Sequence, residues 1–350
     1  MNDPAEAISQ QEKRNIPMKI NVAVALLVLV MPACQRSGGD GAAAFPDRPV
    51  TLVVGYSAGG TVDTAARGIQ PYLQKALGAT VIIENKPGSS SLIAANYVAA
   101  ARPDGYTLMI GTNATIMNSQ IYPDSWKSGK SFIDSFVPVY SWVNADGNAI
   151  AVRRDSPLNS MEDLSAEAGK RAVKLCIAGG LGSGDHFTTV ALRKAYGGNW
   201  IIVPMDSGAE ATAAVLGGKC DASSASPAGA SMDTNALKLL AVTMEKRTPR
   251  WPDAPTFAEL GKPEVTFNFV IGAMAPVGTP PEIIAKLEAA FDTARHDADF
   301  IAWAEQTNQP IGEQGWDART FSDFLQRAIA GSQGIIPDLR EDIRKAQQGN

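Results

Sequence analysis

Histidine is nearly missing from this chain: His186 and His296 are the only two in 350 residues. A metal centre built from imidazoles therefore has too few ligands to draw on. Cysteine is almost as rare, with Cys34, Cys176 and Cys220 alone. No Cys-x-x-Cys or His-Glu-x-x-His spacing occurs. Charge is sparse too, at 19% Asp, Glu, Lys and Arg with a net charge of −5. Without a block of basic residues, nucleic acid is not an expected partner. Glycines 179, 180, 182 and 184 hint at a phosphate loop, but no Gly-Lys-Ser/Thr follows. No cofactor is expected.

What is present begins with an export signal. Met18-Lys19-Ile20-Asn21 is a short basic start, and the apolar run Val22–Met31 leads to Pro32-Ala33-Cys34. The run is about 10 residues, half of what a spanning helix needs. The ending resembles a lipobox, which makes Cys34 the expected lipidation site. Cleavage nearer Ala43 or Ala44, with loss of Cys34, is the alternative. Either way the protein is exported to the periplasm or the outer face of a bacterial membrane, touching the membrane only through a lipid anchor. Residues 1–44 thus read as extension, signal and a Gly/Ala/Ser tether. Whether Met1 or Met18 is the start stays open.

Residues 45–113 carry the most structural information. The β-branched runs Val50–Val54, Thr80–Ile83 and Thr107–Ile110 alternate with helical patterns. Each ends in small residues: Gly55–Gly60, Lys86–Ser91 and Gly111–Thr115. This spacing predicts a βαβαβ unit. Its loops then lie at the carboxyl ends of parallel strands, where ligands bind. Pro71 is expected to interrupt and kink the first helix.

Residues 174–226 repeat the plan. Strands are predicted at Lys174–Ala178, Trp200–Pro204 and Cys220–Ser224, with a helix to Tyr196 and another over Ala209–Leu216. A cleft between two such lobes is the expected ligand site. Asn148–Arg154 and Asn268–Pro276 read as the crossovers. Helices are predicted from Glu282, near Thr320–Gly331 and over Pro337–Gln347, the last two packing on the first lobe. Leu239–Val242 has no assigned place. An oxidising compartment permits a Cys176–Cys220 disulfide, both lying in or beside second-lobe strands; buried free thiols are the alternative.

A series of short motifs carries a family resemblance. They are Phe45-Pro46-Asp47-Arg48-Pro49, Ala58-Gly59-Gly60 with Asp63, Glu84-Asn85-Lys86-Pro87-Gly88 and Pro103-Asp104-Gly105-Tyr106-Thr107-Leu108. Gly111-Thr112-Asn113, Gly182-Ser183 with His186, and Leu240-Ala241-Val242-Thr243 follow. Pro252-Asp253-Ala254-Pro255-Thr256 and Ala275-Pro276-Val277-Gly278-Thr279-Pro280 complete the series. In this order they resemble the substrate-binding proteins of tripartite tricarboxylate transporters, the Bug-type periplasmic receptors, over Phe45 to Gly312.

The resemblance implies an α/β, two-lobed periplasmic binding protein fold, type II-like, with a βαβ-type sheet flanked by helices in each lobe. Lobe 1 would be 45–150 plus 271–350 and lobe 2 would be 151–270. It implies a monomeric receptor that closes on a small organic acid and delivers it to membrane permease subunits. The sequence departs from the family's pattern at Ser57, where proline is usual, at Ser89–Ser91, where Gly and Ala are usual, and at Met205-Asp206-Ser207-Gly208, which lacks the usual aromatic and basic residues.

The ligand chemistry is read from the loops. Gly59 and Gly60 admit close backbone approach and unusual φ. Free N–H groups at the next helix face the cleft beside Tyr56, Ala58 and Asp63. Ser89, Ser90, Ser91, Thr112, Asn113 and Thr115 add donors from the sister loops. A carboxylate gains about 1.5–3 kcal/mol from each charge-assisted hydrogen bond. The second lobe offers Gly182, Ser183, His186, Asp206 and Ser207. Asp63 can instead be a first-turn acid, His186 a structural histidine and Asp206 a cap for the helix near Ala209. No enzyme is expected. A periplasmic sensor is the alternative, and a hydrolase using Ser183 and His186 is a weaker one.

Overall fold

The computed structural model describes residues 45–227, 232, 235–247, 251–307 and 309–348, without the side chains of 145 and 146. The export segment, the tether and Cys34 lie outside these residues. The chain runs through β1 (Val50–Val54), α1 (Thr61–Leu77), β2 (Val81–Asn85), α2 (Leu92–Ala99), β3 (Thr107–Thr112), α3 (Asn113–Ile121), α4 (Phe132–Ser135) and β4 (Phe136–Gly147). It continues through β5 (Ala149–Arg153), α5 (Met161–Lys170), β6 (Val173–Ala178), α6 (Gly184–Tyr196), β7 (Trp200–Met205), α7 (Gly208–Leu216), β8 (Ala222–Ala225) and β9 (Leu237–Val242). It ends with β10 (Asn268–Pro276), α8 (Pro281–Arg295), α9 (Ala298–Gln306), α10 (Ala318–Ser332) and α11 (Ile336–Gln348).

Two sheets result, ordered β2-β1-β3-β10-β4 and β7-β6-β8-β5-β9. β1 is parallel to β2 and β3, and β6 is parallel to β7 and β8. The loops after these strands therefore emerge at one edge of each sheet, as expected of α/β units. β10 runs antiparallel to β3 and β4, and β5 antiparallel to β8 and β9. The architecture is two-lobed and mixed α/β. Among the described residues no helix is long and apolar enough to cross a membrane.

Each sheet is covered on both faces. One face of the first packs Leu52, Val54 and Leu108 against Ile69 and Leu73 of α1 and Leu287 and Phe291 of α8. The other packs Val53 and Met109 against Ala95 and Val98 of α2 and Phe321 and Leu325 of α10. Trp142 is also buried in the first core. A fully buried side chain of this size adds about 1.5–3 kcal/mol. α1 stays one helix from Thr61 to Leu77, with Pro71 on an exposed position. The expected interruption there does not occur.

The crossing between sheets differs from expectation. Ala149–Arg153 is strand β5 and Asn268–Pro276 is strand β10, so the connection narrows to Asn148. Asn148 N–H donates to Thr243 Oγ1 at 2.8 Å, and Thr243 Oγ1 donates to the Phe267 carbonyl at 2.7 Å. A side chain at Gly147 would collide with Thr243 Oγ1 at 2.7 Å, so only glycine lets these segments pass side by side. The unassigned run near Leu239 is β9, an edge strand paired with β5.

The two last helices also part company. α10 packs on β4 and α3, but α11 packs on both α3 and α6. Ile336, Leu339 and Ile343 form an apolar stripe that meets Ala114, Met117 and Ile121 of α3 and Phe187 and Val190 of α6. Periodicity announces such a stripe without naming its neighbour, so the expectation of first-lobe packing alone is corrected for α11. Cys176 in β6 and Cys220, just before β8, are joined by a disulfide spanning 44 residues. A loop of that length restricts the unfolded chain by about 4 kcal/mol in the chain-entropy account.

Candidate functional site

The loop after β1 is open to solvent from Ser57 to Thr61. Gly59 has φ +81°, a left-handed value, whereas Gly60 has φ −75° and ordinary extended geometry. The unusual φ expected at both glycines belongs to Gly59 alone. Gly60 is the N-cap of α1 with no side chain over the helix end, so the first N–H groups stay uncovered by any cap.

Asp63 does not reach into this opening. It is 1% exposed and accepts from Gly59 N–H (2.8 Å), Arg67 Nε (2.9 Å) and Asn85 Nδ2 (2.8 Å). Burial pushes its pKa up, but the bonds from Arg67, Gly59 and Asn85 outweigh burial and hold it below the ordinary value. With its oxygens occupied by these three donors, Asp63 braces the loop. Asp63, expected among the ligand groups, has both carboxylate oxygens engaged within the protein.

A hydroxyl cluster ties the three first-lobe loops together. Tyr56 OH lies 3.0 Å from Thr112 Oγ1 and 3.2 Å from Thr115 Oγ1. Thr115 Oγ1 donates to Ser91 Oγ at 3.3 Å. Thr112 and Thr115 form a capping box at the start of α3, both at most 1% exposed. Their hydroxyls are thus engaged with each other beneath the loops rather than free for a ligand. Asn113 is likewise engaged: its Nδ2 donates to the Asn268 carbonyl, and its Oδ1 accepts from Val270 N–H. Ser89, Ser90 and Ser91 all adopt positive φ, at 44°, 52° and 75°. Successive non-glycine residues in that region cost about 1–2 kcal/mol each, a strain that marks functional loops.

In the second lobe, Gly179, Gly180 and Gly182 have φ of 74°, 74° and 86°. Ser183 caps α6 by accepting from His186 N–H, and Ser207 caps α7 by accepting from Glu210 N–H. The cap of α7 is therefore Ser207, not Asp206. Asp206 is exposed, and its N–H donates to Glu210 Oε2. His186 is fully buried: Nδ1 accepts from Gly182 N–H at 3.0 Å, and Nε2 faces Asp342 Oδ2 at 3.3 Å. Asp342 is also gripped by Arg193 at 2.9 Å. His186, expected at the ligand, has both ring nitrogens turned to Gly182 N–H and Asp342.

The loops of the two sheets meet. A Cβ on Gly182 would stand 3.0 Å from Asn118 Oδ1, 3.4 Å from Tyr122 OH and 3.6 Å from Ser90 Oγ. Asn118 and Tyr122, on and just after α3, were not singled out from sequence; a polar residue inside a helix gives no signal of its own. The same holds for Arg67 and Asp342.

Hydrolase geometry does not assemble here. The Ser183 hydroxyl faces the His186 backbone, while both ring nitrogens turn to Gly182 and Asp342. Gly55-Tyr56-Ser57-Ala58-Gly59 does fit the Gly-x-Ser-x-Gly spacing of a serine elbow at a strand–turn–helix junction. No histidine serves it, since His186 is engaged as above and His296 Nδ1 lies 2.8 Å from the Asp292 carbonyl. Among the described residues no His, Cys, Asp or Glu group could hold a metal ion. A separate cavity of about 340 Å³ is lined by Arg153 at the end of β5, Arg171 before β6, and Cys220 and Asp221 before β8. Its Arg171 is paired with Glu167 and Asp221, and its Arg153 with Asp155.

Comparison with known proteins gives this geometry its context. Residues 65–339 match the family described as the tripartite tricarboxylate transporter family receptor. A protein of Cupriavidus necator, called the UPF0065 protein in the gbd 5' region, is 32% identical over 342 residues, which cover 96% of this chain and 100% of that one. The crystal structure of a TctC solute binding protein from Polaromonas, without ligand, superposes with a TM-score of 0.71 at 28% identity, covering 84% of this chain and 99% of that one. MatC from Rhodopseudomonas palustris, with bound malate, superposes at 0.69 and 27% identity, covering 83% and 100%.

Proposed function

This chain belongs to the tripartite tricarboxylate transporter receptor family, and on that premise we propose that it captures a small organic carboxylate outside the cytoplasm and delivers it to the membrane subunits of such a transporter. The carrying observation is the loop Ser57–Thr61. It is exposed, opens on the uncapped start of α1, and is braced from behind by Asp63. Helix-start N–H groups attract a carboxylate by hydrogen bonding and by the helix dipole, about 0.3–1 kcal/mol for the latter. The bound malate of the similar MatC structure supports a carboxylate as the ligand class.

The working parts are two lobes, expected at 45–150 plus 271–350 and at 151–270; sheet membership supports the division with its bounds moved to Asn148 and Phe267, because β5 starts at Ala149 and β10 at Asn268. The lobes rotate about the crossing at Gly147, Asn148 and Phe267. Cys34 carries the lipid anchor, the receptor acts as a monomer, and Tyr56, Ala58, Gly60, Ser89, Ser90, Gly182 and Ser207 surround the ligand.

A thermal-shift screen with mono-, di- and tricarboxylates tests this reading. A ligand at a hundredfold excess over Kd adds about 2.7 kcal/mol of stability. Gly60→Val removes the shift; its φ suits any residue, but a Cβ would stand 3.3 Å from the Ser57 carbonyl and Val is a poor N-cap, so the unliganded melting temperature should fall slightly and the shift is read against that new baseline. No shift with any carboxylate overturns the proposal.

A further inference from the structure

Asn118 sits where the loops of the two sheets touch, and half of its amide is unanswered. Its side chain is on α3, one turn beyond Thr115, and the residue is 3% exposed. Nδ2 donates to the Ser90 carbonyl at 3.3 Å. That contact fixes the amide's orientation, because the opposite placement would set two oxygens against each other. Oδ1 then points toward Gly182 of the second-lobe loop, and it meets no donor among the described residues. Near the same point stand Tyr122 OH and Ser90 Oγ. Hydroxyls can donate or accept, but a carboxamide oxygen only accepts.

We infer that Asn118 is a specificity-determining residue that accepts a hydrogen bond from the ligand, so that the preferred ligand carries a hydroxyl or ammonium donor beside its carboxylates. The inference rests on the receptor reading above, since it places the ligand between Ser90 and Gly182. A buried acceptor with no partner costs stability, and a ligand that supplies the donor removes that cost. A plain dicarboxylate leaves it in place, and a carboxylate oxygen brought near Oδ1 is repelled. Sites built around a buried polar group reject analogues lacking the matching group more strongly than apolar pockets reject a missing methylene. Gly182 contributes by having no side chain to cover the oxygen, and its φ of 86° reserves the position for glycine.

Calorimetry on the exported chain, with succinate, malate and aspartate as probes, tests this. Malate or aspartate is expected to bind at least tenfold more tightly than succinate, about 1.4 kcal/mol. Asn118→Leu, similar in volume without the acceptor, should bring that ratio close to one by weakening the donor-bearing ligand. Equal affinities in the native chain overturn the inference without need of the variant. So does a preference that survives Asn118→Leu, or tight binding confined to carboxylates with neither hydroxyl nor ammonium; each of these leaves the receptor reading standing. If no carboxylate binds the native chain, the receptor reading fails and this inference falls with it.

Discussion

The glycine loops after β1 and β6 are braced by the same bond made with different chemistry. In the first lobe, Gly59 N–H is accepted by Asp63, four residues on; in the second, Gly182 N–H is accepted by His186, also four residues on. Asp63 is a buried carboxylate whose other partners, Arg67 and Asn85, come from the same lobe. His186 is a ring acceptor, and it is oriented by Asp342 from α11, which also packs on α3. The first loop is therefore rigid on local grounds. The second keeps its shape through a helix that touches both lobes, so its geometry is sensitive to how the lobes sit.

The comparison can be broken most severely at Asp63. Asp63→Ala leaves Gly59 N–H without its acceptor, removes one of the two acceptors of Asn85 Nδ2, and leaves half-exposed Arg67 with Asn85 Oδ1 alone. It should cost about 2–3 kcal/mol, discounted for the solvent around the arginine. Chemical denaturation checks the loss, and carboxylate affinity should fall with it. Asp342→Asn should cost less, about 1 kcal/mol, because Asn can still accept from His186 while the pairing with Arg193 weakens. Amide exchange should quicken at Gly182 and not at Gly59; equal changes at both would erase the distinction drawn here.

Both aspartates also bear on acid stability. Burial opposes ionisation of Asp342, but His186 and Arg193 prevail and lower its pKa, as Arg67, Gly59 and Asn85 do for Asp63. A depressed folded-state pKa gives stability that is fully present above the ordinary carboxylate value of 3.8 and lost as pH falls through the lowered one. The double variant Asp63→Asn with Asp342→Asn should accordingly show a flatter melting temperature below about pH 4 than the native chain. The smallest effect is expected at Asp206, which is exposed and does not cap α7. Asp206→Asn should change stability by less than about 0.5 kcal/mol. Removing its charge should raise malate affinity about twofold, read by calorimetry.

Much of the scaffold could be read in advance because strand and loop chemistry is local. Val50–Val54 is β1 with the expected limits, and the small-residue loops fall where parallel strands end. The roles of side chains within those loops were harder, because they depend on partners far along the chain. Asn113 is satisfied by Asn268 and Val270, and His186 by Asp342, 156 residues away. Thr112 and Thr115 look like free donors in sequence, yet each is satisfied by the other, a capping box without the usual Glu or Gln. Asn148–Arg154 reads as a link in sequence because nothing in an apolar run says which sheet it joins.

β10 occupies the middle of the first sheet, between β3 and β4. A growing chain reaches it only after residues 148–267 have been made, and those residues contain every strand of the second sheet. The second sheet is thus contiguous and can pair as soon as it emerges, although the loop at Gly182 waits for Asp342 of α11. The first must hold β3 and β4 apart with an unfilled gap until the missing strand arrives. Such long-range pairing makes for slow folding. It follows that the second sheet has all its strands before the first does, although the first begins earlier in the chain.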